Sequence, residues 1–201
     1  MRLFYSPLSP YARKARVTVI EKGLSDLVSL EVTSPYGASD ALIAANPLSK
    51  VPAWVLDSGV TLYDSPVLCE YLDSLAPAPQ RLPPAGSARG SVLTLQALAD
   101  GVIDAAFNLT MEGRRPEALR SADWTARWRA AILRGCVALD AAHGHWSLDL
   151  DQGQIASACA LGYLDLRHRN LAWRESAPAL SEWYAVVAQR PSFMDTAPPA
   201  G

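Results

Sequence analysis

Pro52 constrains this chain more than any other residue. It closes Asn46-Pro47-Leu48-Ser49-Lys50-Val51-Pro52 and opens Pro52-Ala53-Trp54-Val55-Leu56, which reads as a short strand. Proline inside a sheet is confined to edges, first positions and bulges, because it has no N–H for the ladder. A cis X–Pro bond is the usual way to seat it in a tight turn at a strand start. Such a bond turns the N–H and C=O of Val51 outward. An extended peptide can pair with those two groups as it would with a free strand edge.

Two Ser-Pro pairs start helices near this segment. Ser9-Pro10 precedes an amphipathic run from Tyr11 to Lys22 that stops at Gly23, and Ser65-Pro66 precedes Val67-Leu68-Cys69-Glu70-Tyr71-Leu72. Serine is a favoured N-cap, proline suits the first helical position, and glycine is a natural C-terminal stop. A helix N-terminus presents unpaired N–H groups and a partial positive charge, so it attracts anions. Taken singly, each serine is only a cap. Together with Lys50-Val51-Pro52 they describe two anion sites beside one exposed peptide edge. The matching ligand is a short peptide with a carboxylate at one end and an ionisable thiol nearby, and glutathione has this shape. Its γ-glutamyl carboxylate is expected on Ser65, its cysteinyl backbone on Val51 and its sulfur facing Ser9.

The chain resembles the cytosolic glutathione S-transferases, and among them most the bacterial transferases of the YibF-like group. The likeness rests on Ser9-Pro10-Tyr11-Ala12-Arg13-Lys14, on Asn46 to Pro52, on Asp64-Ser65 and on Ala160-Leu161-Gly162-Tyr163-Leu164-Asp165. It extends over essentially the whole chain. The expected architecture is an α/β thioredoxin-like domain over residues 1–76, a linker over 77–86 and an all-α helical domain over 87–201. The expected activity is glutathione transfer to an electrophilic small molecule, with glutathione as co-substrate and no metal. A homodimer is implied, built on the helix over 87–112, which can send an acidic residue toward the partner's glutathione; Asp100 and Asp104, four apart on one face of it, read as a solvated or interface face. The alternative is a non-catalytic glutathione-binding or protein-interaction module of the same fold, since fold does not fix function.

Local patterns agree with this order. Arg2-Leu3-Phe4-Tyr5 and Val28–Val32 read as strands around the first helix (residues 11–22). Residues 39–45 read as a short helix, and 53–56 and 60–63 as strands flanking the turn Asp57-Ser58-Gly59. A third helix runs over 66–75. The Pro-, Ala- and Gly-rich stretch from Ala76 to Gly86 is linker-like. Helical spacing then recurs over 87–112, 123–141 (with Trp124, Trp128, Ile132 and Leu139), 155–168 and 178–189. The helix from Ile155 is apolar all round and is expected at a domain centre. In transferases of this kind its start carries a Ser/Thr cap with an Asp three places on. Here those places hold Gln154 and Ser157, so a weaker helix start and lower stability are expected.

Composition removes other classes. The chain has 201 residues, half of them apolar, and a formal net charge of −2, which disfavours a nucleic-acid surface. No apolar run reaches transmembrane length and no signal-like segment opens the chain, so a soluble cytoplasmic protein is expected. The three cysteines, Cys69, Cys136 and Cys159, sit in apolar helical stretches without a C-x-x-C pair. They are expected to be buried and inert. Disulfide exchange at the first helix start is unavailable, because that place reads Ser9-Pro10-Tyr11-Ala12.

Ser9 is the candidate catalytic residue, as a hydrogen-bond donor to the glutathione thiolate. Lowering a thiol pKa by about 2 units takes about 2.7 kcal/mol. A hydrogen bond to a charged group supplies about 1.5–3 kcal/mol and a helix N-terminus about 0.3–1 kcal/mol. Tyr5 and Ser6 are rivals: Tyr5 packs by strand alternation and Ser6 lies further from the helix end. Lys50 is assigned to the glycine carboxylate of glutathione, and Asp64 to the γ-glutamyl ammonium or to capping the third helix. Leu8, Tyr11, Phe107, Asn108, Met111, Arg115 and Trp173 are candidates for an electrophile pocket between the domains, with core packing an equal reading for the apolar ones. His143-Gly144-His145 reads as polar loop rather than metal site.

Overall fold

β1 (Arg2–Tyr5) is the strand on which the first half of the molecule is assembled. The computed structural model describes residues 1–37, 39–76 and 78–199. They fall into two compact units, residues 1–83 with the closing stretch from Arg190, and residues 84–189. In the first unit, α1 (Pro10–Glu21), β2 (Ser29–Val32), α2 (Asp40–Ala45), β3 (Ala53–Val55), β4 (Thr61–Leu62) and α3 (Ser65–Leu75) follow in the thioredoxin-like order expected from sequence. The four strands form one sheet in the order β2-β1-β3-β4. β1 runs parallel to β2, while β3 is antiparallel to both β1 and β4.

Strand alternation divides the core. Leu3 and Trp54 pack with Ala15, Val19, Leu68 and Leu72 under α1 and α3. Phe4 and Ala53 face the other way, against Leu42 and Ala45 of α2 and against Val51. Register is therefore fixed from both faces, because a one-residue slip would exchange the two sets. Three buried ionic ties hold the edges of this unit. Lys22 Nζ donates to Asp73 Oδ1 (3.0 Å) and to the carbonyls of Ala76 (2.6 Å) and Pro79 (2.7 Å). Glu21, at the end of α1, accepts from Arg190 Nη2 (2.8 Å) and Ser192 Oγ (2.6 Å), and also from Arg81 Nη2 (3.2 Å). The last helix, α9 (Pro191–Met194), is thereby joined to α1. The sequence reading had ended its last helix at Arg190-Pro191 and did not foresee this one.

The second unit is helical: α4 (Gly86–Gly113), α5 (Ala122–Ala142), α6 (Gln152–Arg167), α7 (Trp173–Ser176) and α8 (Pro178–Val187). α6 is buried from Gln152 through Leu164 and packs chiefly on α4. Its start corrects the sequence reading. The helix begins at Gln152 rather than near 155, and Asp151 is the N-cap. Asp151 Oδ1 accepts from the Gln154 amide (2.8 Å), and Gln154 Oε1 accepts from the Asp151 amide (2.8 Å). This reciprocal pair satisfies two orphan donors, so no cap is missing. Ser157 donates to the Gly153 carbonyl (2.8 Å).

A further difference concerns an apolar helix. α4 is long and apolar enough to cross a membrane on composition alone, whereas the sequence reading found no such run. Its Val92, Ala99, Val102, Ile103, Ala106 and Leu109 are buried in a helical stripe, and it packs on α5 and α6, so it is a core helix. α5 buries Ile132, Leu139 and, as expected, Cys136, while Trp124 is exposed and stacks on Trp128 at 5.5 Å.

Two predictions follow from this packing and these ties. A Cβ at Gly153 would stand 2.9 Å from the Val92 carbonyl oxygen and 2.9 Å from Leu95 Cβ. Gly153→Ala is expected to lower stability by about 1–3 kcal/mol despite the better helix propensity of alanine, read as a fall in Tm. Burial pushes the Glu21 carboxyl up, but its hydrogen bonds from Arg190 and Ser192 and the charges of Arg190 and Arg81 outweigh this and leave it below its usual value of 4.5. Its contribution is then complete above that value and lost as pH falls through the lower folded pKa. Acid unfolding should show Glu21→Gln less stable near neutrality, with a smaller further loss on acidification than the wild type.

Candidate functional site

The antiparallel register brings the predicted residues of the first unit to one end of its sheet. Phe4 pairs with Ala53, so the segment leaving β1 lies beside the segment entering β3. Trp54 pairs with Leu62, so the segment leaving β4 reaches the same end. Ser9, Val51-Pro52 and Asp64-Ser65 therefore gather there, and α1 and α3 both begin there.

Ser9 is the N-cap of α1, in extended conformation, and its Oγ accepts from the Ala12 amide at 3.2 Å. Its own amide donates to the Ser6 carbonyl (3.0 Å), which fixes the preceding turn. Used as an acceptor toward the helix, the hydroxyl keeps its proton for an acceptor outside. Tyr5 is covered: the Arg16 guanidinium carbon lies 4.5 Å from its ring centroid. Burial, with the neighbouring Arg13 charge, holds Arg16 below its usual range against the opposing influence of Tyr5. α1 carries no acidic residue in its first turn to cancel the positive helix end.

The second Ser-Pro start differs from its prediction. Asp64 occupies the N-cap position and makes no side-chain capping bond, while Ser65 is the first residue of α3 and is 1% exposed. Ser65 thus offers a first-turn amide, and Asp64 is exposed beside it.

The Val51–Pro52 bond is cis, and so is Tyr63–Asp64. Val51 is buried, and no hydrogen bond among the described residues engages its amide or carbonyl. Lys50 is exposed. The loop before it is organised by a residue the sequence reading quoted without assigning it a role. Asn46, 1% exposed, donates from Nδ2 to the Lys50 carbonyl (3.0 Å) and accepts at Oδ1 from the Leu48 amide (3.0 Å). Ser49 sits in the left-handed region (φ 50°), an uncommon conformation for a residue with a side chain, and its amide is held by the Asn46 carbonyl (2.8 Å). The Asn-Pro pair at 46–47 was the available signal, because asparagine side chains habitually bridge to the backbone two residues on.

Leu8 is exposed and Tyr11 half-buried at this end of the first unit. In the second unit, Phe107, Asn108 and Met111 lie along α4. Arg115 follows its end and donates to Glu112 Oε2 (3.3 Å). Trp173 is 1% exposed, donates from Nε1 to Asp165 Oδ1 (3.0 Å) and is covered by the Arg174 guanidinium 4.4 Å from its ring. Its surroundings are those of a packed residue. Asp100 is half-buried and Asp104 exposed on α4.

The cysteines are all free and buried, and burial pushes the Cys136 thiol up to about 12. Thiolate chemistry on this chain's own sulfur is therefore disfavoured at that position. His143 packs edge-on to Trp146 (5.5 Å) and Trp183 (6.2 Å), while the His145 side chain lies outside the described residues. No group of three metal-ligating side chains occurs among the described residues.

Asn46 gives this site a direct test. Asn46→Ala removes two hydrogen bonds inside the loop and leaves the Leu48 amide and Lys50 carbonyl without their partner. A loss of about 1–3 kcal/mol is expected, with faster hydrogen exchange at the Leu48 amide while the α6 amides are unchanged.

Comparison with known proteins places this geometry. The sequence profile of the glutathione S-transferase N-terminal domain matches residues 8–75. The GST-like protein YibF of Escherichia coli K12 is 36% identical over 204 residues, covering 99% of each chain. A glutathione transferase family member from Pseudomonas fluorescens Pf-5, crystallised with bound glutathione, superposes with a TM-score of 0.90 at 40% identity over 99% of both chains. A second crystal structure from that organism, with bound S-(propanoic acid)-glutathione, gives 0.86 at 39% identity over the full length of both. Likeness of this extent, in sequence as well as in fold, makes the chain a member of the glutathione S-transferase family.

Proposed function

We propose that this protein is a glutathione transferase that holds glutathione at the sheet end of its first unit, stabilises the thiolate with Ser9 and passes it to an electrophilic small molecule. The observation that carries the reading is the Ser9 hydroxyl at the mouth of α1. It is fixed by the Ala12 amide and lies at the same end of the sheet as the unengaged peptide edge of Val51. Glutathione bound to the Pseudomonas fluorescens Pf-5 family member, which is similar over 99% of both chains, supports the ligand. S-(propanoic acid)-glutathione, a thioether, bound in the second Pf-5 crystal structure supports the class of product.

In this reading the thiol releases its proton to solvent on binding, and the sulfur anion accepts a hydrogen bond from the Ser9 O–H. The unneutralised N-terminus of α1 adds to that stabilisation. The sulfur lone pair then forms the bond to the electrophile, whose leaving group or π-electrons take up the charge. The Val51 amide and carbonyl pair with the cysteinyl backbone. Lys50 meets the glycine carboxylate, while the α3 start at Ser65 meets the γ-glutamyl carboxylate and Asp64 its ammonium. Residues 1–76 are assigned as the glutathione domain and 87–201 as the helical domain, with 77–86 between them. The tail from Arg190 belongs to the first unit. Leu8, Tyr11, Phe107, Asn108, Met111 and Arg115 are the candidates to receive the electrophile. Following the family, we assign the protein to the cytoplasm as a homodimer with glutathione as co-substrate.

Ser9→Ala tests the assignment. The loss of one hydrogen bond to a charged group corresponds to about 1.5–3 kcal/mol, or about 10–100-fold in kcat/KM for a chromogenic electrophile at neutral pH. Retention on glutathione resin should persist. Equal turnover by variant and wild type would refute the role of Ser9. Retention without turnover by the wild type would identify a glutathione-binding module in place of an enzyme.

A further inference from the structure

Arg13 lies one turn into α1 and is 7% exposed. Its Nη2 donates to the Phe193 carbonyl (2.9 Å) and its Nε to Thr196 Oγ1 (3.3 Å), and its guanidinium lies 5.5 Å from the Phe193 ring centroid. All of these partners are neutral. Two other buried cations of this unit are matched by carboxylates: Lys22 by Asp73 and Arg81 by Glu21. No carboxylate pairs with Arg13 among the described residues. An uncompensated buried charge is costly. Hydrogen bonds to a carbonyl and a hydroxyl do not require one, so docking of the tail alone does not account for a guanidinium here.

Position along the helix supplies a reason. Ser9, Arg13 and Arg16 are spaced four and then three residues apart, which places them on one helical stripe. Helical side chains lean toward the N-terminus, in the direction of Ser9. Arg16 adds charge of the same sign, and its guanidinium also bonds neutral oxygens, the carbonyls of Asp195 (3.2 Å) and Thr196 (3.5 Å). From α9 and the tail, the charged groups on this side are the exposed Asp195 and Arg190, and Arg190 is taken up by Glu21 at the far end of α1.

We infer that Arg13 sets the acidity of the glutathione thiol bound at Ser9, as a fixed positive charge held in place by Phe193 and Thr196 and acting along α1 on the sulfur anion. This rests on the transferase reading above and deepens it. The closing segment of the chain then has a part in the chemistry, because it fixes the distance of that charge. The axial rise over the four residues from Ser9 to Arg13, plus one hydrogen bond, is about 9 Å, and the separation is taken as this distance. A unit charge there, through an effective dielectric of about 20–40, moves a thiol pKa by roughly 0.7–1.4 units.

The test is the pH titration of thiolate absorbance for glutathione bound to the intact protein, in wild type, Arg13→Gln, Arg13→Lys and Ser9→Ala. The bound thiol of the wild type should titrate well below that of free glutathione. Arg13→Gln should raise it by about one unit while binding of neutral-thiol glutathione at low pH is little changed, and Arg13→Lys should restore most of the shift. A purely structural role would move the affinity and leave the thiol pKa in place. If the glutamine variant does not fold, the wild type alone decides. A buried charge is weakly screened, so its bound-thiol pKa should hold steady from low to roughly half-molar salt. A folded Arg13→Gln with the wild-type thiol pKa, or a wild-type value that climbs steeply with salt, overturns the role of Arg13 and leaves the transferase reading standing. A wild type whose bound thiol titrates like free glutathione overturns both.

Discussion

The antiparallel register of β3 against β1 and β4 is the constraint on which the site depends. Where β3 enters the sheet, β1 and β4 leave it, so three segments distant in sequence finish side by side. That register is not free to drift. Leu3 and Trp54 must stay under α1 and α3, and Phe4 and Ala53 must stay toward α2. A slip of one residue would exchange the two sets and put each against the wrong layer. Hydrophobic packing of the sheet thus fixes the relative positions of Ser9, Val51 and Ser65, and loops need only be held locally. Asn46 does this for the loop before Pro52, and the Ser6–Ser9 turn does it before α1.

The polar chemistry then follows from local rules. Two helices begin at the same sheet end; the α1 end, capped by Ser9 with no acidic residue in its first turn, keeps its partial charge available to an anion, while the α3 end has Asp64 at its N-cap position. At Ser9 one hydroxyl serves two purposes, as acceptor for the Ala12 amide and as donor outward. The tail from Arg190 closes the far side of α1 through Glu21, Arg13 and Arg16. The second unit has a different logic. Its α6 is buried along most of its length, and there the close approach of Gly153 to α4 and the Asp151–Gln154 cap decide stability.

Much of this was legible in the sequence, because the informative residues are those whose chemistry is local. Ser9-Pro10, Gly23 and Val51-Pro52 each report a backbone requirement of their immediate neighbours, and the structure meets each one. Alternation in β1 and β3 reported which residues face the core. What was not legible depended on context. The cap of α6 was sought at the family's usual place, Gln154 and Ser157, while Asp151 supplies it three residues earlier. Ser65 was read as a cap because Asp64 and Ser65 are equally good caps in isolation, and only the end of β4 decides between them. Trp124 fits the helical spacing of its apolar neighbours, yet it remains exposed and stacks on Trp128. The tail's grip on α1 spans some 180 residues of sequence, and no local pattern announces Arg13 meeting Phe193 and Thr196.

The most direct measurement is a crystal structure of the protein with glutathione bound. The account predicts the sulfur within hydrogen-bonding distance of Ser9 Oγ, with the cysteinyl amide and carbonyl paired to Val51. Glutathione bound with its sulfur away from Ser9, or lying elsewhere than along Val51, would contradict it.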